Sequence, residues 1–319
     1  MSTIERIHAA ATVLDGVARR TPMLTSPFLD EIAGRRVLVK AECLQHTGSF
    51  KLRGAWFALS QLPEADRARG VIAFSSGNHA QGVAFAAREA GVPAVIVMPE
   101  DAPRLKIANT RALGAEVVLY DRETEDRDEI GARLAEERGL SLIKPFDNRD
   151  VIAGQGTTGL EIAAQATDLG VSRADVLVCC GGGGLTGGIA VALAETDLTA
   201  RPVEPEGFDD VARSLAAGRI ERNDRLTGSI CDAIITPAPG ELTFPLMARH
   251  CGAPLQVSDA ECLSAIGHAF QRLKIVAEPG GAAALAAALH RGDQITGDAV
   301  ICVVTGGNVD KEIFLKSLA

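Results

Sequence analysis

Short runs of mostly apolar, branched residues alternate along the chain with alanine-rich stretches, and this alternation predicts strands separated by helices. Within the runs, apolar residues follow one another directly, which is typical of strands buried on both faces of a parallel sheet. The predicted strands cover residues 36–40, 71–74, 94–98, 116–119, 175–180 and 299–304. The pattern therefore predicts an α/β fold.

Two helices can be placed from their polar residues. Ser2 precedes Glu5 by three residues and apolar residues follow at helical spacing, so we expect a capped first helix. Residues 121–139 are highly charged apart from Ile130 and Leu134, which predicts a helix with a solvated face. Because no repeat or low-complexity linker divides the chain, we expect any second domain to be inserted within the first.

The composition limits the class of protein. The chain has 319 residues and a net charge of −9 with no basic run, which argues against a nucleic-acid-binding surface. Its first residues lack a signal-peptide core, and its longest apolar stretch is far below the roughly 20 residues that cross a bilayer. The seven cysteines lack metal-ligand spacing and are expected to be buried thiols. We therefore expect a cytoplasmic protein without a nucleic-acid or membrane partner.

The densest group of glycines follows the predicted strand that ends at Cys180, where six of the eight residues 181–188 are glycine. A helix is predicted to begin there, so backbone N–H groups and the helix dipole can converge on a phosphate. No lysine follows in the arrangement of an ATP-binding P-loop. A dinucleotide-binding glycine pattern is also possible, with Glu204 at the spacing of its acidic partner.

Lys51 and residues 75–79 carry the remaining chemistry. Lys51, one of only seven lysines, lies where a small polar loop leads into a predicted helix. A helix start disfavours the charged amine, which favours Schiff-base chemistry. The segment 75–79, Ser-Ser-Gly-Asn-His, predicts a strand-to-helix turn whose donors suit a carboxylate, although the same residues also make an ordinary helix cap.

Four motifs resemble, in this order, those of the pyridoxal-phosphate (PLP) enzymes with the tryptophan-synthase β-subunit fold, fold type II. They are Ser49-Phe50-Lys51, Ser75 to His79, Gly181 to Leu185, and Thr305 to Asn308. Among these enzymes the chain is similar to the serine/threonine dehydratase and serine racemase family. The resemblance implies two open twisted sheets with flanking helices, and a homodimer that acts on a small amino acid. It also implies a large domain of residues 1–60 and 140–319, with a small substrate-closing domain, 61–139, inserted.

The resemblance implies a role for each matching residue. Lys51 would hold PLP as a Schiff base and then take the substrate Cα proton. The cofactor would be bound by Phe50, Lys51, Asn78, Gly181, Gly182, Gly183, Gly184, Leu185, Glu278 and Thr305. The glycines would bind its phosphate, Asn78 its phenolic oxygen and the Thr305 hydroxyl its pyridine nitrogen, a pairing that favours elimination over transamination. The substrate carboxylate would be bound by Ser75, Ser76, Gly77, Asn78 and His79.

Two further features resemble the racemase branch of the family. Ser76 stands where typical threonine dehydratases have alanine, and a hydroxyl there can act as an acid/base on the cofactor face opposite Lys51. The segment 204–210 resembles a cation site with Glu204, the Phe208 carbonyl and Asp210 as ligands for Mg²⁺, Mn²⁺ or Ca²⁺. Without the resemblance, such an acidic segment would be interpreted as a solvated loop.

The expected activity is that of a PLP-dependent ammonia-lyase that converts L-threonine, L-serine or 3-hydroxyaspartate into a 2-oxo acid and ammonia. The main alternative is an amino-acid racemase that uses Lys51 and Ser76 as its acid/base pair. A non-catalytic nucleotide- or PLP-binding protein would leave Lys51 in its motif without a purpose, and a dehydrogenase would bind NAD. Cys231-Asp232-Ala233 departs from the family near the expected position of the substrate's side chain, so the preferred substrate stays open.

Overall fold

The computed structural model describes residues 1–75, 77–102, 104–121 and 123–318, apart from the side chains of Leu105 and Asp128. The strands are β1 (Met23–Thr25), β2 (Arg36–Ala41), β3 (Val71–Phe74), β4 (Ala94–Pro99), β5 (Glu116–Tyr120), β6 (Ser141–Leu142), β7 (Arg173–Cys179), β8 (Asp197–Pro205), β9 (Leu255–Val257) and β10 (Ala299–Val304). The α-helices are α1 (Thr3–Leu14), α2 (Pro27–Ala33), α3 (Lys51–Ser60), α4 (Glu64–Arg69), α5 (Asn78–Glu89), α6 (Arg104–Ala112), α7 (Arg127–Arg138), α8 (Arg149–Asp168), α9 (Gly184–Ala192), α10 (Asp210–Ala217), α11 (Thr243–His250), α12 (Asp259–His268), α13 (Pro279–His290) and α14 (Lys311–Lys316). Short 3₁₀ turns lie at Glu42–Leu44, His46–Gly48, Asp232–Ile234 and Gly292–Gln294, and a π-helical turn at Ala269–Leu273.

The strands form two sheets. The larger has the order β1-β2-β10-β7-β8-β9, with β1 antiparallel to β2 and every other pair parallel. The smaller has the order β5-β4-β3-β6 and is parallel throughout. All strands of the smaller sheet lie between β2 and β7 in sequence, so the chain leaves the larger sheet, builds the smaller one and returns. The predicted α/β fold with two sheets is confirmed, and the predicted domain limits stay a prediction.

The apolar runs predict β2, β3, β4, β5, β7 and β10 close to their observed limits, but the pattern misses the short strands β1, β6 and β9 and the long strand β8. Thr199, Arg201 and Glu204 interrupt its apolar residues. Arg201 is nevertheless buried, because its guanidinium donates to Asp175 on β7 at 2.7 Å. The interpretation of Glu204 as part of a solvated loop is wrong, since Glu204 is a fully buried residue near the end of β8.

The two predicted helices are present. Helix α1 has the expected capping box, in which the Ser2 N–H donates to the Glu5 carboxylate at 2.7 Å and the Glu5 N–H donates to the Ser2 hydroxyl at 3.4 Å. Helix α7 occupies the charged segment and buries Leu134 against the smaller sheet. Most of its other described residues are exposed, as its composition predicts.

Helices α8 and α9 pack closely against each other, and glycines at the end of the glycine run allow this close approach. A Cβ on Gly188 would lie 2.6 Å from the backbone oxygen of Ile152 on α8. Because backbone cannot move aside as a flexible side chain can, this approach requires glycine. The end of the glycine run therefore serves helix packing, and the part that can bind an anion is shorter than 181–188.

The cysteines agree with the expectation of buried thiols. All seven cysteines are free, and six of them, including Cys179, Cys180 and Cys302, are buried. Within the described ranges, no helix is both long enough and apolar enough to cross a membrane.

Candidate active site

The described residues of the predicted cofactor and substrate sites line one cavity of about 470 Å³. The carboxyl ends of β3 and β6 from the smaller sheet and of β7 and β10 from the larger sheet meet there, as expected for ligand sites in open α/β sheets. The predicted residues that line it are Phe50, Lys51, Ser75, Gly77, Asn78, His79, Gly181, Gly182, Gly183, Gly184, Leu185, Glu278 and Thr305. Ser76, the remaining member of these predicted sets, lies outside the described residues.

Lys51 is the first residue of α3, and its side chain enters the cavity. Its Nζ donates to the Pro145 carbonyl oxygen at 2.8 Å and lies 5.1 Å from the centre of the Phe50 ring. Burial lowers the pKa of Lys51 to about 8, although the charge of Glu278 acts in the opposite direction. Burial, and not the helix start expected from the sequence, is the main cause of this lowered pKa.

A buried charge network holds the first turn of α3 in place. The Arg53 guanidinium donates to both oxygens of Glu42 at 2.8 Å and to Glu161 at 2.7 Å, while Lys40 donates to Glu161 at 2.5 Å. Burial by itself would raise the pKa of Glu42, but the charges of Arg53 and Lys40 together with the hydrogen bonds from Arg53 and Thr21 outweigh it, and the pKa is lowered. The network thus fixes the backbone two residues after Lys51.

The glycine loop between β7 and α9 presents backbone donors to the cavity. Within the described part of the chain, the N–H groups from Gly181 to Thr186 have no hydrogen-bond acceptor. Gly183 has a φ of +87°, in the left-handed region that favours glycine, and a Cβ there would lie 2.5 Å from the terminal methyl of Met247. A Cβ on Gly182 would lie 2.4 Å from the Phe146 ring. This loop therefore presents free N–H groups, enclosed by the side chains of Phe146 and Met247, that are suited to bind an anion.

Asn78, at the start of α5, is held from two sides. Its amide donates to the Glu278 carboxylate at 2.5 Å and accepts from the Asn308 amide at 2.7 Å. Burial raises the pKa of Glu278 to about 7, although the hydrogen bond from Asn78 acts to lower it. A Cβ on Gly306 would lie 2.0 Å from Glu278 Oε1, so a larger residue there would displace this carboxylate. Asn308 belongs to a motif visible in the sequence, but its contact with Asn78 was not predicted.

His79 lies one residue further along α5 and is buried. Its Nε2 is 2.8 Å from the Ile143 carbonyl oxygen, and because a carbonyl can only accept, this nitrogen carries the proton. Burial lowers the pKa of His79 to about 3, with the charge of Lys51 as a further cause, so the ring is neutral near pH 7. Before His79, the Gly77 N–H donates to the Ser75 hydroxyl at 3.2 Å.

Glu204 and Asp210 lie outside this cavity. Glu204 is near the end of β8 and Asp210 is the first residue of α10, so a short turn separates them. The Glu204 carboxylate accepts from the N–H groups of Val211 and Ala212, each at 2.8 Å. Asp210 Oδ1 accepts from the Asn223 amide at 2.6 Å, whereas the buried Oδ2 has no partner among the described residues. Burial, with the nearby carboxylates as a further cause, raises the pKa of Glu204 to about 8, and burial raises that of Asp210 to about 6.

These two carboxylates and the buried Phe208 are the residues of the predicted cation site, which stays a prediction. Across the described ranges, no group of three or more His, Cys, Asp or Glu side chains could hold a metal ion. A cation here would therefore need the backbone carbonyl as well as the two carboxylates, as the prediction states.

Sequence reasoning missed several residues of the cavity wall. Lys106 and Arg127 come from the smaller-sheet side, whereas Asp232 comes from the turn Asp232–Ile234 after Cys231. The sequence of this turn departs from the family pattern, which indicated an unusual cavity wall but did not indicate that Asp232 pairs with another residue. Lys106 and Arg127 lie in charged segments that are indistinguishable from solvated helix faces in the sequence.

Comparisons with known proteins agree with this geometry. A family described as pyridoxal-phosphate dependent enzyme matches residues 14–306. The L-threo-3-hydroxyaspartate ammonia-lyase of a Pseudomonas species is 45% identical over 100% of this chain and 99% of that protein. The serine racemase of Schizosaccharomyces pombe is 37% identical over 100% of this chain and 98% of that protein. The crystal structure of T.th. threonine deaminase has a TM-score of 0.91 and 45% identity, covering 97% of this chain and 99% of that one.

Proposed function

This chain belongs to the family of pyridoxal-phosphate dependent enzymes, and we propose that it is an ammonia-lyase that converts a small β-hydroxy amino acid into a 2-oxo acid and ammonia. One observation carries the proposal. The amine of Lys51, with its lowered pKa, and the free N–H groups of the glycine loop open into the same cavity. The names of the relatives, which are ammonia-lyases and racemases, agree with the predicted activity.

The cavity fits PLP at each of its functional groups. The loop from Gly181 to Leu185 would hold the phosphate through its N–H groups, Asn78 would donate to the phenolic oxygen, and the buried Thr305 would face the pyridine nitrogen. When bound, PLP supplies the electron withdrawal that acidifies the substrate Cα–H. The remaining tasks belong to the side chains of this protein.

Lys51 is the residue that can move the Cα proton. With a pKa of about 8, about a tenth of the amine is neutral at pH 7 and can accept a proton, far more than for an ordinary lysine. The turn Ser75 to His79 would bind the substrate carboxylate at the start of α5, where helical N–H groups have no intrahelical partner. After the Cα proton and the β-hydroxyl have left as water, hydrolysis of the resulting enamine consumes one water and releases the 2-oxo acid and ammonia.

The test uses the purified holoenzyme and the variant Lys51→Ala. We expect the variant to release no 2-oxo acid from L-threonine, L-serine or 3-hydroxyaspartate, and to lose the visible absorption that reports PLP bound through an amine. Lys144→Ala, which removes an exposed lysine at the cavity rim, is the matched control. An unchanged absorption band in Lys51→Ala would contradict the covalent role of Lys51.

Racemisation is the second candidate activity, because the chain has Ser-Ser-Gly-Asn-His at 75–79 and is similar to a serine racemase over its whole length. A two-base racemase needs an acid/base on the face opposite Lys51, and Ser76 is the proposed residue. Ser76→Ala should abolish formation of the D-isomer while 2-oxo acid release continues. If D-isomer formation survives this substitution, Ser76 is not the second base.

The turn after β8 fits a divalent cation. Asp210 has a buried oxygen without a partner among the described residues, and the carboxylates of Glu204 and Asp210 are both costly to ionise without a positive charge beside them. Glu204, Asp210 and the Phe208 carbonyl would hold Mg²⁺, Mn²⁺ or Ca²⁺. The cation would also steady the cavity wall, since Asn223 donates to both Asp210 at 2.6 Å and the Thr236 carbonyl at 2.9 Å.

A thermal unfolding experiment with EDTA-treated holoenzyme tests the cation. Added Mg²⁺, Mn²⁺ or Ca²⁺ should raise the melting temperature of the wild type, because a ligand of the folded state stabilises it. Asp210→Asn should lose this response, whereas Asp224→Asn, which removes an exposed carboxylate, should keep it. A wild type that ignores all three cations would refute the proposal.

We also propose a homodimer. Phe28, Ile32, Phe270 and Leu315 are large apolar residues with exposed fractions from 41% to 54%. Arg272 covers the Phe28 ring at 4.8 Å and Phe270 meets Phe314 edge to face at 5.4 Å, so the elements that carry them adjoin. Such a patch is typical of an interface.

Sedimentation velocity tests the dimer. Phe28→Glu should shift the protein toward the monomer, while Leu226→Glu, at an exposed leucine outside the patch, should not. A monomeric wild type, or an equal response of both variants, would contradict this interface.

We place the protein in the cytoplasm, as the sequence predicts, because its seven free cysteines suit a reducing compartment. Fractionation of the native cells with an antibody against the chain tests this placement.

A further inference from the structure

Lys106 and Asp232 face each other across the cavity. Lys106 belongs to α6, beside the smaller sheet, and Asp232 belongs to the turn that precedes the loop toward α11. The Lys106 Nζ lies 3.8 Å from the Asp232 Oδ2. Both charges also act on Glu278, whose pKa Asp232 raises and Lys106 lowers. Both residues line the same cavity as Lys51, so a substrate side chain bound in that cavity can reach the pair.

The two side chains differ in how far they are exposed to water. The Lys106 side chain is only 16% exposed, whereas that of Asp232 is 72% exposed. At 3.8 Å the pair is too long for a hydrogen bond, which for an ammonium and a carboxylate is about 2.7–2.9 Å. Asp232 can remain hydrated without its partner, but a desolvated ammonium requires a nearby anion. Lys106 is thus a cation whose present partner can be exchanged for a better one.

Other cations of the cavity are less suited to bind an anion inside it. Lys51 is committed to the proposed chemistry, and Lys144 is exposed at the rim. Arg127 is exposed and already has an interaction partner. Because the attraction between charges grows as water is excluded, the least hydrated side chain contributes most to recognition.

On this basis we infer that Lys106 binds the side-chain carboxylate of a dicarboxylic β-hydroxy amino acid, the class to which 3-hydroxyaspartate belongs, and that Asp232 is the counter-ion this carboxylate replaces. The inference rests on the proposed ammonia-lyase function and narrows its substrate class. The α-carboxylate has its own proposed place at residues 75–79, so the second carboxylate needs a separate cation. L-Threonine and L-serine bring no second charge, and they leave the Lys106–Asp232 pair intact.

Steady-state kinetics of the holoenzyme with L-threo-3-hydroxyaspartate and with L-threonine test the inference. Lys106→Met should lower kcat/KM for the dicarboxylic substrate roughly 10- to 100-fold, mainly through KM, because a charge-assisted hydrogen bond is lost. The same variant should leave kcat/KM for L-threonine within about 3-fold, because no contact with that side chain is removed. Lys106→Arg should restore part of the selectivity, and Asp232→Asn should increase it, since the competing anion is gone.

Binding of analogues that cannot lose water separates this inference from the proposed function. L-Aspartate and L-2-aminobutyrate lack the β-hydroxyl, and their binding to the holoenzyme is measured from the change in cofactor absorption. We expect wild type to prefer L-aspartate and Lys106→Met to lose that preference, whereas the rim control Lys144→Met keeps it.

Three results would overturn the inference: an equal loss for both substrates in Lys106→Met, an unchanged preference for L-aspartate in that variant, or the same loss in Lys144→Met. By contrast, a wild type that releases no 2-oxo acid from any substrate would refute the proposed function, while the binding preference would still decide the role of Lys106.

Discussion

Acidification is expected to destabilise the fold through His79. The ring is buried, its Nε2 donates to the Ile143 carbonyl, and burial lowers its pKa to about 3. In the unfolded chain the pKa of the same side chain returns to an ordinary value near 6.5. Between these two values the unfolded state binds more protons than the folded state. The contribution of His79 to stability is therefore complete above about pH 6.5 and is lost as the pH falls toward 3.

The expected magnitude follows from these two values. Full protonation would cost about 5 kcal/mol, because each pKa unit corresponds to about 1.4 kcal/mol. Between about pH 7.5 and about pH 5, only part of this interval is crossed, and the loss is about 2 kcal/mol. Glu278 contributes in the opposite direction, since its raised pKa near 7 makes its stabilising effect fade as the pH rises. The test must therefore isolate His79 by comparison with a variant.

Urea unfolding of wild type and His79→Gln, followed by the fluorescence of Trp56, the chain's single tryptophan, provides that comparison. The glutamine amide can still donate to the Ile143 carbonyl but does not titrate. We expect wild type to lose about 2 kcal/mol more than the variant when the pH is lowered from about 7.5 to about 5. In parallel, one of the six histidine ring signals in NMR should fail to titrate above pH 5 and should be absent from the variant. Equal pH dependence of the two proteins, or a His79 signal that titrates near 6.5, would refute the reasoning.

Three further predictions concern single residues. Gly183→Ala should weaken PLP binding, measured by equilibrium dialysis, by 10-fold or more, because the φ of +87° at this position is strained for alanine. Gly218→Ala, at a φ of +68° with open space around it, should leave PLP binding unchanged. Arg53→Met should destabilise the protein by about 3–5 kcal/mol in urea unfolding because it strands buried carboxylates, and the exposed Arg20→Met should cost less than about 1 kcal/mol. Gly306→Ala should displace the Glu278 carboxylate, 2.0 Å from the new Cβ, and lower kcat about 100-fold in a protein with an unchanged circular dichroism spectrum. Wild-type behaviour of any of these variants would contradict the corresponding contact.

The apolar pattern predicts the strands that are buried on both faces, because such strands carry little besides apolar residues. It fails at β8, where a buried ion pair replaces part of the apolar surface. Arg201 and Asp175 are both buried and neutralise each other across β7 and β8. A pattern of single residues does not reveal that two charges on different strands become partners, so such a strand resembles a polar loop until the pairing is known.

The candidate site divides in a similar way. Residues that act through the backbone at a strand-to-helix turn, such as Gly183, leave a sequence signal because the turn itself demands them. Lys106 and Asp232 act through side-chain charge, and they are brought together by two elements that are far apart in sequence. Their segments resemble ordinary solvated surface, so only the folded chain shows that they share a cavity.

Burial shifts the pKa values of three titratable groups in the cavity in the direction that favours their neutral forms. It lowers the pKa of Lys51 and His79 and raises that of Glu278, so each group is moved toward its neutral form. A neutral amine is the form that can take a proton. When Lys51 takes the proton and becomes an ammonium, a neutral His79 adds no positive charge that would repel it. The cavity therefore favours the basic form of Lys51 mainly by burying the amine itself, and the position of Lys51 at the start of α3 is not needed to explain it.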